Sequence, residues 1–185
     1  MDLASPEYQE KVRSSIREAD ATMWAPDCST LTRARERPIP GHRSAPRPLR
    51  SQHSVRGLPG LGARDNRRVE LANSFLDFTL GEAEVLAKQG AAVVLEGLLR
   101  CYLWLSAQMH RLSEPRGWRR AEYNACAQTG ARGKAQALEG NFEELDGIPA
   151  KCSHTHTPKT SGSLPSCQTA HGSTHRQEEQ NTPQA

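Results

Sequence analysis

Residues 94–105, VLEGLLRCYLWL, place eight large apolar side chains in twelve positions, yet Glu96 and Arg100 stand among them. The same apolar rhythm extends well beyond this stretch. Across 69–112, apolar residues recur at steps of three or four, which is the spacing of one face of an α-helix. The pattern predicts one long amphipathic helix over 66–113. Glu96 and Arg100, in the favourable i, i+4 order, would then mark its solvent edge.

Glycines inside this pattern leave its continuity open. Gly81, Gly90 and Gly97 would each cost up to about 1 kcal/mol in a helix interior. Thr79 to Glu82 matches a capping box, and Lys88-Gln89-Gly90 is typical of a helix end with a left-handed glycine. Two versions therefore stand: a single bent helix, and a helical hairpin broken at Gly81 or Gly90.

A second, shorter helix is predicted at the N-terminal end, over 6–22. Ser5 and Pro6 suit the N-cap and the first helical position. The apolar stripe that follows is only one residue wide, so this helix should be marginal unless it packs on something else.

Residues 25–65 differ from the rest of the chain in charge. They hold eight arginines, no lysine, three acidic residues and six prolines, a composition that opposes both helix and strand. We expect an extended basic linker. Its candidate phosphate contacts are Arg33, Arg35, Arg37 and Arg43, although the linker has no aromatic residues on which bases could stack.

The C-terminal part of the chain is poor in apolar residues. Residues 115–150 should be weakly helical or disordered, with at most a transient helix over 134–146, and 151–185 contain one leucine and no other large apolar side chain. Such a segment cannot offset its conformational entropy by burial. With 1–24 as the N-terminal helical part and 66–114 as the main helical segment, the expected fold is mainly α with extensive disorder and no strands.

No stretch of the sequence matches a catalytic, cofactor-binding or metal-binding motif in both residue type and spacing. Gly130 to Lys134 lacks the first glycine and the final Ser or Thr of a phosphate-binding loop. The tail offers six ligand-type side chains but no closely spaced cysteine pair and no apolar residues to pack around a metal; they are Cys152, His154, His156, Cys167, His171 and His175. We therefore expect no enzyme activity, no cofactor and no metal.

The cellular compartment is inferred from the same residues. Glu96 and Arg100 would each cost about 2.5–3.5 kcal/mol inside a membrane span, and the first ten residues, MDLASPEYQE, carry no apolar signal core. Five scattered cysteines do not suggest a disulfide framework. The expected location is intracellular, either cytoplasmic or nuclear.

Two classes of function remain, together with a third interpretation in which the chain has no function of its own. The first is a non-enzymatic adaptor or scaffold that binds a partner protein, or its own copy in a coiled-coil-like pairing, through the helix over 66–113. Its predicted binding face, with Leu98 and Leu105 as the main anchors, consists of Leu76, Val94, Leu98, Tyr102, Leu105 and Met109. The second is a nucleic-acid or acidic-surface binder acting through 25–65. The third is a truncated or alternative product without a function of its own, because the periodicity stops at Pro115.

Overall fold

The computed structural model describes residues 5–36, 46–128 and 134–148, together with the backbone of 155–157 and 166–168. Its α-helices are α1 (Pro6–Ile16), α2 (Ala63–Lys88) and α3 (Ala107–Ser113). Its strands are β1 (Ala21–Trp24), β2 (Ala92–Leu98), β3 (Arg119–Asn124), β4 (Ala135–Gly140), β5 (Thr155–Thr157) and β6 (Ser166–Gln168). Short 3-10 helices cover Arg33–Glu36, Tyr102–Leu105, Ala125–Gln128 and Glu143–Gly147.

A four-stranded mixed sheet in the order β1-β2-β4-β3 organises the chain. β1 runs parallel to β2, with Ala21 opposite Ala92, while β4 is antiparallel to both β2 and β3. β2 therefore has hydrogen-bonded neighbours on both sides. A central strand that is covered on both faces typically has a nearly continuous apolar sequence.

The prediction of a mainly α, coiled-coil-like chain without strands is wrong, and it fails at residues 94–105. Val93 and Leu95 are fully buried on one face of β2, whereas Val94 and Glu96 point to the other face. The adjacent β-branched residues Val93 and Val94 favour an extended backbone. In a run this rich in apolar residues the helical spacing is met by chance, because nearly every period finds an apolar side chain.

The predicted helix over 66–113 is in fact two helices separated by a strand and a 3-10 turn. α2 stops at Lys88, and Gly90 has a φ of 89°, the left-handed conformation of a glycine after a helix end. Gly81 lies inside α2 without breaking it. α3 resumes only at Ala107, so neither the continuous helix nor the helical hairpin describes this region.

The N-terminal helix is shorter than predicted. α1 ends at Ile16, and residues 21–24 form β1 rather than a further helical turn. Pro6 takes its expected place in the first turn, while the Ser5 side chain makes no capping hydrogen bond. Arg13 of α1 lies over the Phe78 ring and pairs with Glu82 at 2.7 Å, which fixes α1 against α2.

The main core lies between one face of α2 and the sheet, with the 3-10 turn and α3 closing one end. Its most buried members include Leu76, Leu80, Val93, Leu95, Tyr102, Leu103 and Met109. A smaller cluster on the opposite face of the sheet contains Ala121, Leu138 and Leu145. The sheet is therefore covered, at least in part, on both faces.

Parts of 25–65 are built into this core. Leu31 and Leu49 are each 1% exposed, and Arg50 is 2% exposed. Residues 37–45, which include Arg37 and Arg43, lie outside the described residues.

The C-terminal region also departs from its prediction. Residues 134–146, expected as a transient helix, supply β4 and part of a 3-10 helix. In the tail, β5 and β6 pair antiparallel with His156 opposite Cys167. The side chains of the six metal-ligand candidates in 151–185 lie outside the described residues.

Candidate docking groove

A groove of about 710 Å³ lies between the 53–57 loop, α2 and the start of α3. Leu76 of α2 contributes to its floor, and Val55 to its loop side. Leu105, at the end of the 3-10 turn, is 40% exposed at this groove, although Tyr102, Leu103 and Trp104 just before it are buried. The groove thus offers an exposed aliphatic side chain next to partly buried apolar surface.

The loop side of the groove is positioned by backbone geometry. Ser51 and Ser54 exchange two backbone hydrogen bonds of 3.3 and 3.1 Å, which turns the chain back on itself. Gly57 follows with a φ of 129°, and a Cβ there would lie 2.7 Å from Cγ1 of Val69. Only glycine fits a backbone of this hand at this distance from α2.

The opposite side of the groove is positioned by the start of α3. The Ser106 hydroxyl accepts a 3.2 Å hydrogen bond from the Met109 amide and caps the helix. Met109 and Leu112 then anchor α3 in the core. Leu105, which directly precedes this cap, stays exposed.

Charged side chains border the groove. Both terminal nitrogens of Arg56 lie 2.7 Å from the carboxylate oxygens of Asp77, a bidentate pair that raises the pKa of the guanidinium. Arg111 of α3 also lines the groove. No ion pair of Arg111 is present among the described side chains.

Arg111 also lines an adjoining cleft of about 370 Å³ at the other side of α3. Lys88 there binds Glu84 at 2.6 Å and, with a weaker contribution from Arg111, holds the pKa of the Glu84 carboxyl below its ordinary value. Arg116 and Trp118 complete this side of the cleft. The groove and the cleft therefore share one arginine.

The structure separates the residues of the predicted binding face. Leu76, Tyr102 and Met109 are at most 2% exposed, and Val94 and Leu98 are half-buried on β2. Only Leu76 and Leu105 line the groove together. The helical face that was to unite all six does not exist.

The predicted phosphate contacts that are described already have partners. Arg33 pairs with Glu36 at 3.0 Å. Arg35 donates to the backbone oxygens of Ser29 and Arg47 at 3.1 and 3.4 Å, and burial is the main cause that lowers its pKa. These side chains hold the segment in place, which leaves them less free to contact phosphates.

One polar cluster was not foreseen from the sequence. On the sheet face that carries Leu138, the Glu96 carboxylate accepts hydrogen bonds from Tyr123, at 3.1 Å, and from Gln136. Burial, and then the nearby Glu96 carboxylate, raise the pKa of Tyr123 to about 12. The cluster joins three strands, β2, β3 and β4, and its contacts account for the position of Glu96 without any ligand.

The described residues contain neither a metal-binding cluster nor a membrane-spanning helix. No group of three or more His, Cys, Asp or Glu side chains is placed to hold a metal ion there. None of the helices found in that part of the chain combines the length and the apolar composition that crossing a bilayer requires.

No family model, no curated protein and no solved structure matches the chain.

Proposed function

We propose that the chain is a non-enzymatic protein-binding module, and that the groove beside Leu105 receives a short segment of a partner protein. The observation that carries the proposal is the exposure of Leu105 at a groove whose lining includes the half-buried Val55 and the almost fully buried Leu76. Apolar anchors that enter a pocket with a polar rim dominate interface energies. This proposal keeps the adaptor hypothesis and moves its docking surface from a helix face to a groove.

Two polar side chains of the rim are engaged within the protein itself. Asp77 is engaged by Arg56, and the Ser106 hydroxyl caps α3. Each of these side chains already has a structural partner, so neither is a free base or nucleophile. What the groove offers a ligand is apolar contact, hydrogen bonds and positive charge.

A selection from a displayed library of random peptides tests the proposal, with the full-length chain as the immobilised target. Leu105→Asp should weaken the binding of the enriched peptides at least tenfold, because a carboxylate would replace the apolar anchor. Leu71→Asp is the matched control, since Leu71 is a similarly exposed leucine, 44% against 40%, that does not line the groove. Leu71→Asp should bind the peptides as the wild type does.

Three results would contradict the docking groove. The selection could yield no peptide, the two leucine variants could weaken binding equally, or Leu105→Asp could leave affinity unchanged. Sedimentation of the same variants checks for the remaining occupant: a dimer that only Leu105→Asp dissociates would show that a second copy of the chain fills the groove.

A further inference from the structure

Resting on the docking proposed above, we infer that the docked segment is acidic, and that Arg111 and Arg116 bind its aspartate or glutamate side chains. The segment would lie across the groove and the adjoining cleft, since Arg111 lines both.

Cationic side chains outnumber acidic ones in the groove and the cleft. They contain four cationic side chains, Arg56, Lys88, Arg111 and Arg116, and two acidic ones. Both acids are already paired within the chain, Asp77 with Arg56 and Glu84 with Lys88. Two positive charges are left over, and both lie at the cleft.

Helix electrostatics account for only part of this excess. Lys88 and Arg111 lie in the last turns of α2 and α3, where cations offset the partial negative charge of a helix end. Arg116 follows α3 by three residues and takes part in neither helix. Its presence with Arg111 in the lining of one cleft therefore has no such explanation, and acidic side chains bound in the cleft would be attracted by both arginines.

The walls of the cleft strengthen such an interaction. Leu112 is buried, Trp118 is half-buried, and Pro115 and Ala87 add further apolar surface. An arginine–carboxylate contact against apolar walls is less screened than one on an open surface.

The shared arginine also sets the expected spacing of the ligand. Leu105 and Arg111 are six residues apart. Ser106 between them is extended and α3 begins at Ala107, so four helical steps and two more extended ones give a span on the order of 10 Å. An extended peptide covers that distance in about three residues. We expect an apolar anchor with acidic residues that begin about three positions away.

The test uses the full-length chain and the peptide selection described above, with a library that contains acidic and basic residues at equal frequency. The enriched peptides should carry Asp or Glu about three residues from an apolar residue. The variant Arg111→Glu/Arg116→Glu should bind them at least tenfold more weakly. The same variant should bind a synthetic peptide in which lysines replace the acidic residues more tightly than the wild type binds it. Arg67→Glu, an exposed arginine on α2 away from both surfaces, is the control and should bind like the wild type.

The outcomes separate this inference from the proposed function. Peptides that depend on Leu105 could show no acidic enrichment, or could bind Arg111→Glu/Arg116→Glu normally. Either result would overturn the inference of an acidic segment and would leave the proposed docking groove standing. Equal weakening by Arg67→Glu overturns it as well, because the effect would then be one of net charge. If no enriched peptide depends on Leu105, the proposed function fails, and the acidic ligand fails with it.

Discussion

Arg50 shows how much a single residue of the proline-rich segment contributes to this fold. It is 2% exposed, and its guanidinium donates five hydrogen bonds to the main chain of Thr30, Val55 and Val69 and to the side chains of Thr30 and Asn73. None of these acceptors is a carboxylate. Burial is accordingly the main cause that lowers the pKa of Arg50, to about 10.

Replacing Arg50 by lysine should be costly. Lysine has three donors in place of five and cannot reproduce the planar fork, so buried acceptors lose their partners. We expect Arg50→Lys to lower the free energy of unfolding by about 3 kcal/mol. Arg56→Lys, at an exposed ion pair with Asp77, should cost about 1 kcal/mol or less. Urea denaturation measures both, and equal losses would contradict a structural role specific to Arg50.

Tyr102 predicts how stability depends on alkaline pH. It is 1% exposed and its hydroxyl donates to Glu36 and to the Arg50 carbonyl. Burial, and then the Glu36 hydrogen bond, raise the pKa of Tyr102 from 10 to about 12. A raised folded-state pKa means that this contribution is complete below pH 10 and is lost as the pH rises towards 12.

The matching experiment is urea denaturation between about pH 9 and pH 12. This range includes the ordinary tyrosine pKa of about 10 and reaches the raised pKa of Tyr102, about 12. Tyr102→Phe should be less stable than the wild type at neutral pH, because the buried acceptors lose a donor. Above pH 10 its stability should fall less steeply than that of the wild type. Parallel curves over the whole range would show that Tyr102 ionisation does not contribute.

At the scale of elements, the C-terminal ends of α2 and α3 are easier to predict than the elements between these helices. Gly90 and Pro115 act through local backbone geometry, and α2 and α3 end just before them. The strand identity of 92–98 depends on β1 and β4, which come from distant parts of the sequence. In a short apolar run, periodicity alone does not distinguish a buried helix from a buried strand.

Three glycines in different elements should respond differently to alanine. At Gly81, inside α2, a Cβ would meet nothing within 4 Å, so Gly81→Ala should stabilise the protein by up to about 1 kcal/mol. At Gly97 on β2 the Cβ would lie 3.0 Å from the Trp104 ring and 3.1 Å from the Cys101 sulfur. We expect Gly97→Ala to destabilise by about 1–3 kcal/mol.

Gly140 on β4 should tolerate alanine least. A Cβ there would overlap the main-chain carbonyl oxygen of Val93, which belongs to the paired strand and cannot move without disturbing the sheet. The predicted order of stability is Gly81→Ala, wild type, Gly97→Ala, Gly140→Ala. Thermal unfolding of the three variants gives this order directly. A stable Gly140→Ala protein would contradict the pairing of β2 with β4.

The candidate groove includes one residue that the sequence singles out and two that it does not. The sequence predicts Leu105 as a binding anchor; the structure leaves its side chain exposed at a groove, and its role in binding stays a prediction. Val55 and Arg56 were read as parts of a linker, because nothing local distinguishes them within the proline-rich segment. Their position depends on Arg50 reaching α2 at Asn73, a contact that no sequence pattern predicts.

At the scale of the whole molecule, the core is assembled from segments far apart in the chain. Leu31 and Ala137 join α2 and β2 in one cluster. We therefore expect the tertiary contacts, more than the local sequence, to decide the conformation of 94–105. This distinguishes the observed fold from a self-sufficient helical segment.

A fragment of residues 60–115 tests this dependence. It retains α2, β2 and α3 but lacks β1 and β4, so both edges of β2 would be left without hydrogen-bond partners. We expect the fragment to unfold without a cooperative transition in urea, whereas the full-length chain unfolds cooperatively. Carbon chemical shifts of 92–98 should indicate strand only in the full-length chain. If the isolated fragment instead shows strand-type shifts there and a sharp transition, local sequence alone specifies β2. If it shows a stable helix across 94–105, the helical pattern is a real local preference that the surrounding strands override.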